Sequence, residues 1–288
     1  MRAHINGTDL FYEVLGEGRS LLLIHGGLGL DHTCFLPWLE PLADKFQLVL
    51  PDLRGNGRSS RASLQGVTHA TWAQDLDALR MHLGFPAWAV LGHSYGSYIA
   101  QELALLHGES LTGLLLSNST PAMDYPQQIV ENAKQRGTPE QVQELLGALG
   151  GPPVTDDAEF GAGWETVLPM YFHRFEERYR QAMRANVVYS AAAFNHAFSQ
   201  CVPAFDNVPR LGDIRVPTLI LAGRHDFITP VEQGAQRLAA GIPCATVAVF
   251  ENSGHFPFIE ERDAFVREVS AWVSALPPTG NRASASRG

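Results

Sequence analysis

Six short apolar runs punctuate the chain, at 21–24, 47–50, 87–91, 114–117, 218–222 and 246–250. Each is rich in Val, Ile and Leu and closes on turn-forming or polar residues such as Pro51-Asp52, Gly92 or Gly223. Brief apolar runs without alternation are the pattern of strands buried on both faces. Between them, apolar residues recur at helical spacing. Trp72, Leu76, Leu79 and Leu83 mark one face within 69–83, and Ile99, Leu103 and Leu106 another within 97–107. Similar stretches cover 231–240 and 262–275. Strand–helix alternation predicts parallel strands joined by right-handed crossovers. Ahead of these runs, 3–5 and 10–15 flank Gly7-Thr8-Asp9 and predict an antiparallel hairpin at the sheet edge. The expectation is an α/β fold with a mostly parallel, eight-stranded sheet flanked by helices.

The alternation stops between Pro121 and Pro209. Helical patterns continue there at 127–136, 139–149, 164–172 and 175–188, with a Gly-Gly-Pro-Pro break at 150–153. So long a stretch is too large for a loop within a compact domain. It predicts an inserted helical cap at 121–209, over a core built from 1–120 and 210–276. The small, polar residues of 277–288 predict a disordered tail.

Composition narrows the function. The 288 residues are 45% hydrophobic and 18% charged, enough to bury a core without covalent staples. The net charge is −9 with no basic run, which argues against a nucleic-acid partner. No window approaches the apolar length of a membrane span, and the opening MRAHINGTDL lacks the apolar stretch of a signal peptide. Cys34, Cys201 and Cys244 are far apart and odd in number, matching neither a disulfide framework nor a zinc spacing. They are expected as buried or half-buried thiols in a reducing, cytoplasmic compartment. No cofactor is implied, and no metal-ligand cluster is visible.

The candidate chemistry sits at strand ends. Gly92-His93-Ser94-Tyr95-Gly96 follows a strand and opens a helix, the context its G-x-S-x-G spacing requires. Its glycines let backbone pass close by, and Ser94 is the expected nucleophile. His255 directly follows the last run and Asp226 the one before it. His255 is the expected general base and Asp226 the acid that fixes its tautomer. Asp124 and Asp213 are rival acids. His93 is expected as a packing or pocket residue, and His225 as a hydrogen-bonding neighbour of the acid. Backbone N–H groups of Tyr95 and Gly27, the latter in His25-Gly26-Gly27-Leu28-Gly29, are the expected oxyanion donors.

Five blocks, HGG at 25–27, DLRGNGRS at 52–59, GHSYG at 92–96, GRHD at 223–226 and SGHFPFIE at 253–260, together resemble the α/β-hydrolase superfamily. The Arg-Gly-x-Gly-Arg-Ser run and the cap layout resemble its proline iminopeptidase branch. That resemblance implies release of N-terminal residues from short peptides, with ester-cleaving relatives. The branch binds the substrate ammonium through glutamates. This chain has Phe227 beside the acid, and Leu28 where the branch has proline. Glu165, Glu176 and Glu177 are the remaining candidates for an amine anchor.

The leading expectation is a serine hydrolase cleaving a small to medium, largely apolar ester or amide through an acyl-enzyme. A proline iminopeptidase and a non-catalytic ligand-binding relative are the alternatives. A small-molecule substrate is expected over Ser94, against Leu28, Phe35, Trp164, Phe198, Phe227 and Phe256.

Overall fold

In the computed structural model, which describes residues 1–277, eight strands join one sheet. In chain order they are β1 (Arg2–Ile5), β2 (Thr8–Leu15), β3 (Arg19–Ile24), β4 (Phe46–Pro51), β5 (Trp88–His93), β6 (Leu111–Ser117), β7 (Thr218–Gly223) and β8 (Ala245–Phe250). Their spatial order is β1-β2-β4-β3-β5-β6-β7-β8. β1 and β2 are antiparallel to their neighbours, and β3 to β8 run parallel. Beyond Pro277, the tail expected to be disordered lies outside the described residues.

The hairpin turn is tighter than the sequence reading placed it. Asn6 and Gly7 both adopt positive φ, 47° and 75°, as a two-residue turn of type I′ requires. Thr8 and Asp9 therefore belong to β2, opposite Ile5 and His4. The expectation that every later run is buried on both faces fails at β8. It is the edge strand, and Val247 on it is 42% exposed.

Within the central strands, alternate residues feed two cores. Leu22, Ile24, Val90, Leu114 and Ile220 pack on one face against α1 (His69–His82), α2 (Tyr95–His107) and α8 (Ala235–Gly241). Leu21, Leu23, Leu91, Leu115 and Leu221 pack on the other against α10 (Arg262–Ala275). Trp72 of α1 and Trp88 of β5 are fully buried in the first core. A capping box starts α1: Thr68 Oγ1 accepts from Thr71 N–H, and Thr71 Oγ1 accepts from Thr68 N–H.

Between β6 and β7 come α3 (Pro126–Arg136), α4 (Pro139–Gly150), α5 (Asp157–Val167), α6 (Glu177–Arg184) and α7 (Ala191–His196). The periodicity at 164–172 splits, with its first turn in α5 and the rest in a 3₁₀ turn at Leu168–Tyr171. The short α7, continued by a π-turn through Ala197–Cys201, had no counterpart in the sequence reading. Its Ala-rich start carries little amphipathic contrast. A short α9 (Pro257–Glu260) precedes α10. No helix among the described residues is long and apolar enough to cross a membrane.

Candidate active site

Ser94 occupies a sharp corner between β5 and α2, at φ 52° and ψ −123°. Such a conformation costs about 1–3 kcal/mol for a non-glycine residue, so its surroundings must hold it. They do. Ser94 N–H donates to Ser117 O of β6 at 2.9 Å, and Ser97 N–H donates to Ser94 O at 2.9 Å. The flanking glycines are steric necessities. A Cβ on Gly96 would strike the carbonyls of Ile24 and His25, and one on Gly92 would meet the first turn of α2.

Two strands away, the carboxyl end of β7 delivers Asp226, and the turn after β8 delivers His255. His255 Nδ1 lies 2.7 Å from Asp226 Oδ2. A carboxylate only accepts, so Nδ1 carries the proton and Nε2 is left free to accept one. Asp226 collects further donors. Ile228 N–H and Thr229 N–H reach Oδ1 at 2.9 and 3.2 Å, while Thr229 Oγ1 and Asn118 Nδ2 reach Oδ2 at 2.5 and 2.8 Å. Burial alone would push this carboxyl up. The His255 charge and the donors from His255, Thr229 and Asn118 outweigh burial and hold it well below the usual carboxylate range.

The histidine is itself gripped from two sides. His93 Nε2 donates to His255 O at 2.9 Å, and burial pushes His93 down to about 3, so its ring stays neutral. His255 N–H donates to Tyr171 O at 2.6 Å, a contact from the insert between β6 and β7. Ser94 and His255 line one cavity, and their side chains form no direct hydrogen bond here. Hydrogen bonds between a nucleophile and its base are often long before substrate binds.

Gly223 lets the ends of β7 and β8 close up. A Cβ there would collide with Gly254 O and Ser253 O. We expect Gly223→Ala to lower the unfolding free energy by about 2–3 kcal/mol in urea titration, the scale of overpacking a rigid backbone contact. An unchanged midpoint would show that the loop yields freely.

Gly27 and Tyr95 both face the cavity, and among the described residues neither N–H donates to a protein acceptor. Gly27 sits at φ 43°, in the left-handed region. The next glycine, Gly29 at φ 101°, admits the ring of Phe160 and the Cβ of Phe194 directly onto this loop. Ser190 N–H donates to Gly29 O at 2.9 Å, and Gly29 N–H donates to Asn56 Oδ1 at 2.8 Å.

The cavity above Ser94 measures about 570 Å³. Leu28, Trp164, Phe198 and Phe256 line it, as expected from the sequence. Two expected wall residues do not. Phe35 is fully buried and packs edge-on to His93 and against Phe258, because its short 3₁₀ segment turns it into the second core. Phe227 is 3% exposed and packs into a satellite core with Ile129, Val167 and Met170. The wall instead includes Tyr98, Met123, Ile129, Leu145 and Phe160.

Other expectations resolve by contact. Asp124 pairs with Arg237 at the surface. His225 stacks on His173 at 3.7 Å, and its carbonyl accepts from Arg136. Glu165 and Glu177 pair with Arg180, and Glu176 with Arg178, so none of the three lines the cavity. Cys34 and Cys201 are buried, but Cys244 is exposed, contrary to expectation.

One cluster was not anticipated. Asp31, His32 and Asp52 come together in the interior, close enough to hold a cation. Their carboxylates are already engaged. Asp31 accepts from Thr33, Arg58 Nη1 and Val188 N–H, and Asp52 accepts from His32 and Arg58 N–H. Arg58 also donates to Asn186 O at 2.6 Å. The cluster thus clasps the segment before α7 to the sheet. Burial would push Asp52 up, but its bond to His32 prevails and holds it low.

Of the residues that sequence reasoning missed, Asn118 and Thr229 touch the acid directly. The available signal was position alone, since Asn118 follows β6 as Asp226 follows β7.

A model of the alpha/beta hydrolase fold family matches residues 19–262. A proline iminopeptidase from Pestalotiopsis fici is 28% identical, over 92% of this chain and 96% of its own. Another from Heyndrickxia coagulans is 26% identical, over 91% and 92%. Among solved structures, a thermophilic esterase from Thermogutta terrifontis is similar at a TM-score of 0.72 and 27% identity, covering 95% of this chain and 98% of that one. The family match spans the strands that carry Ser94, Asp226 and His255 as well as the helical insert. The chain belongs to the α/β-hydrolase fold family, as a hydrolase similar to its proline iminopeptidase-like branch.

Proposed function

We propose that the protein is a serine hydrolase that cleaves esters with a small to medium apolar acyl group. The observation that carries this reading is the wall above Ser94. Only two carboxylates line the cavity among the described residues, Glu144 of α4 and Glu159 of α5, and both are solvent-exposed. Glu159 is already taken up by Thr155. An ammonium group brought close to Ser94 would lose its hydration without gaining a counter-charge, a cost of several kcal/mol. An apolar acyl chain would gain about 25 cal/mol per Å² it buries there.

The proposed mechanism draws on this arrangement. His255 Nε2 takes the Ser94 proton as Oγ bonds to the carbonyl carbon. The carbonyl oxygen, now negative, accepts from Gly27 and Tyr95 N–H. The bond to the alcohol oxygen then breaks, and His255 returns the proton to that oxygen. Water, deprotonated by His255, repeats the addition and frees the acid and Ser94. Asp226 keeps the imidazole in the tautomer that both halves need.

The curated relatives support a second reading, release of N-terminal proline. We expect p-nitrophenyl butyrate to be turned over with kcat/KM at least about 100-fold above that for proline p-nitroanilide, since the ester is the more reactive bond and the ammonium of the proline substrate meets an apolar wall. The reverse ratio would establish the peptidase reading. Failure of a fluorophosphonate probe to label the protein would support a ligand-binding role instead. Three unpaired cysteines favour a reducing compartment, and we place the protein in the cytoplasm.

A further inference from the structure

Asn118 is 1% exposed and sits just beyond the carboxyl end of β6. Its φ of 50° is in the left-handed region, which asparagine tolerates better than most residues. Its backbone N–H donates to Leu221 O of β7 at 2.8 Å, which fixes where the side chain starts. The amide nitrogen Nδ2 then donates twice, to Asp226 Oδ2 at 2.8 Å and to Gly254 O at 3.2 Å. The second acceptor belongs to the residue immediately before His255. Ser117 Oγ donates to Asn118 Oδ1 at 3.2 Å, which sets the amide the right way round. One side chain therefore ties β6, the acid and the histidine loop together without lining the cavity.

We propose that Asn118 is a positioning residue that holds the Asp226 carboxylate and the His255 loop in register. The assignment rests on the serine-hydrolase reading above. Its two bonds do separate things. The bond to Gly254 O fixes how far the His255 backbone stands from β6. The bond to Asp226 Oδ2 draws charge from the same oxygen that faces His255 Nδ1. Without it, that oxygen presents more negative charge to the imidazolium and stabilises it. The acid limb of kcat/KM would then move up.

Other groups face the pair and set the background. These are His93 from β5, Tyr98 from α2, Tyr125 ahead of α3, Arg136 from α3 and Tyr171 from the insert. Burial pushes all three phenols up and His93 down to about 3, so none of the four titrates alongside the catalytic limb. His225, next to Asp226, and His173 stacked on it are common to wild type and variant.

The test compares wild type, Asn118→Gly and Asn118→Asp with p-nitrophenyl butyrate between pH 5 and 9. Glycine removes the amide without backbone strain, and aspartate keeps the shape while leaving at most one donor hydrogen where the amide had two. Thermal melts check folding. Both variants should lose about tenfold in kcat with little change in KM, the scale seen when an outer partner of a functional histidine is removed. The acid limb should shift to higher pH in both. If labelled, active wild type is matched by both variants in rate and pH profile, the assignment falls and the hydrolase reading stands. A fall in rate that tracks melting temperature with no movement of the limb also overturns it, in favour of a purely structural role. If wild type neither labels with fluorophosphonate nor turns over the ester, the hydrolase reading itself fails.

Discussion

Replacing Ser94 by alanine is expected to reduce kcat for p-nitrophenyl butyrate by about a millionfold, as losing the nucleophile does in a serine hydrolase of this mechanism. The loss should be total in practical terms, because nothing near Ser94 can replace its hydroxyl. Cys34 lines the same cavity, but burial pushes its thiol far up, so it offers no thiolate. Folding should survive. The backbone bonds from Ser94 N–H to Ser117 O and from Ser97 N–H to Ser94 O do not involve the hydroxyl. Fluorophosphonate labelling should vanish in parallel. A variant that keeps more than a thousandth of the wild-type rate would refute Ser94 as nucleophile.

Asp226→Asn should cost about 10⁴-fold in kcat, for a reason that the hydrogen bonds make explicit. Ile228 and Thr229 N–H groups both donate to Oδ1, so that position must remain an oxygen. The new amide nitrogen must then fall at the Oδ2 position, facing three donors: His255 Nδ1, Asn118 Nδ2 and Thr229 Oγ1. The imidazole can relieve the clash by moving its proton to Nε2. In that tautomer it cannot accept the Ser94 proton. KM should change little, since Asp226 does not line the cavity. Steady-state kinetics would measure the split. A raised KM with kcat intact would mean that Asp226 shapes the pocket and has no bearing on the histidine.

Much of this architecture is visible in the sequence because of how the sheet is buried. Strands covered on both faces show as uninterrupted apolar runs, and all six such runs became strands. The same logic misjudged β8, whose composition is apolar although half of it meets solvent at the sheet edge. An apolar run reports strand propensity more directly than it reports neighbours. Ser94, Asp226 and His255 were legible through strand-end position and motif. Asn118 was not, since an asparagine after a strand is an ordinary turn residue and its partner lies 108 positions away. Phe35 and Phe227 failed differently. Phe227 adjoins the acid and Phe35 follows the glycine loop in the chain, yet which way a ring turns from a short turn depends on packing that pattern cannot supply. The glutamates of the insert were legible only as charges, and it took the arginines opposite them to show that they are spoken for.

The hydrogen bond from His255 N–H to Tyr171 O means that the insert between β6 and β7 and the loop that carries His255 are not separable parts. Exchanging the whole insert for that of another hydrolase would take away a support of the loop that carries His255. Redesign of substrate range in this scaffold is therefore better confined to the mostly exposed α4, leaving the stretch around Tyr171 and the α5 ring packed on it in place.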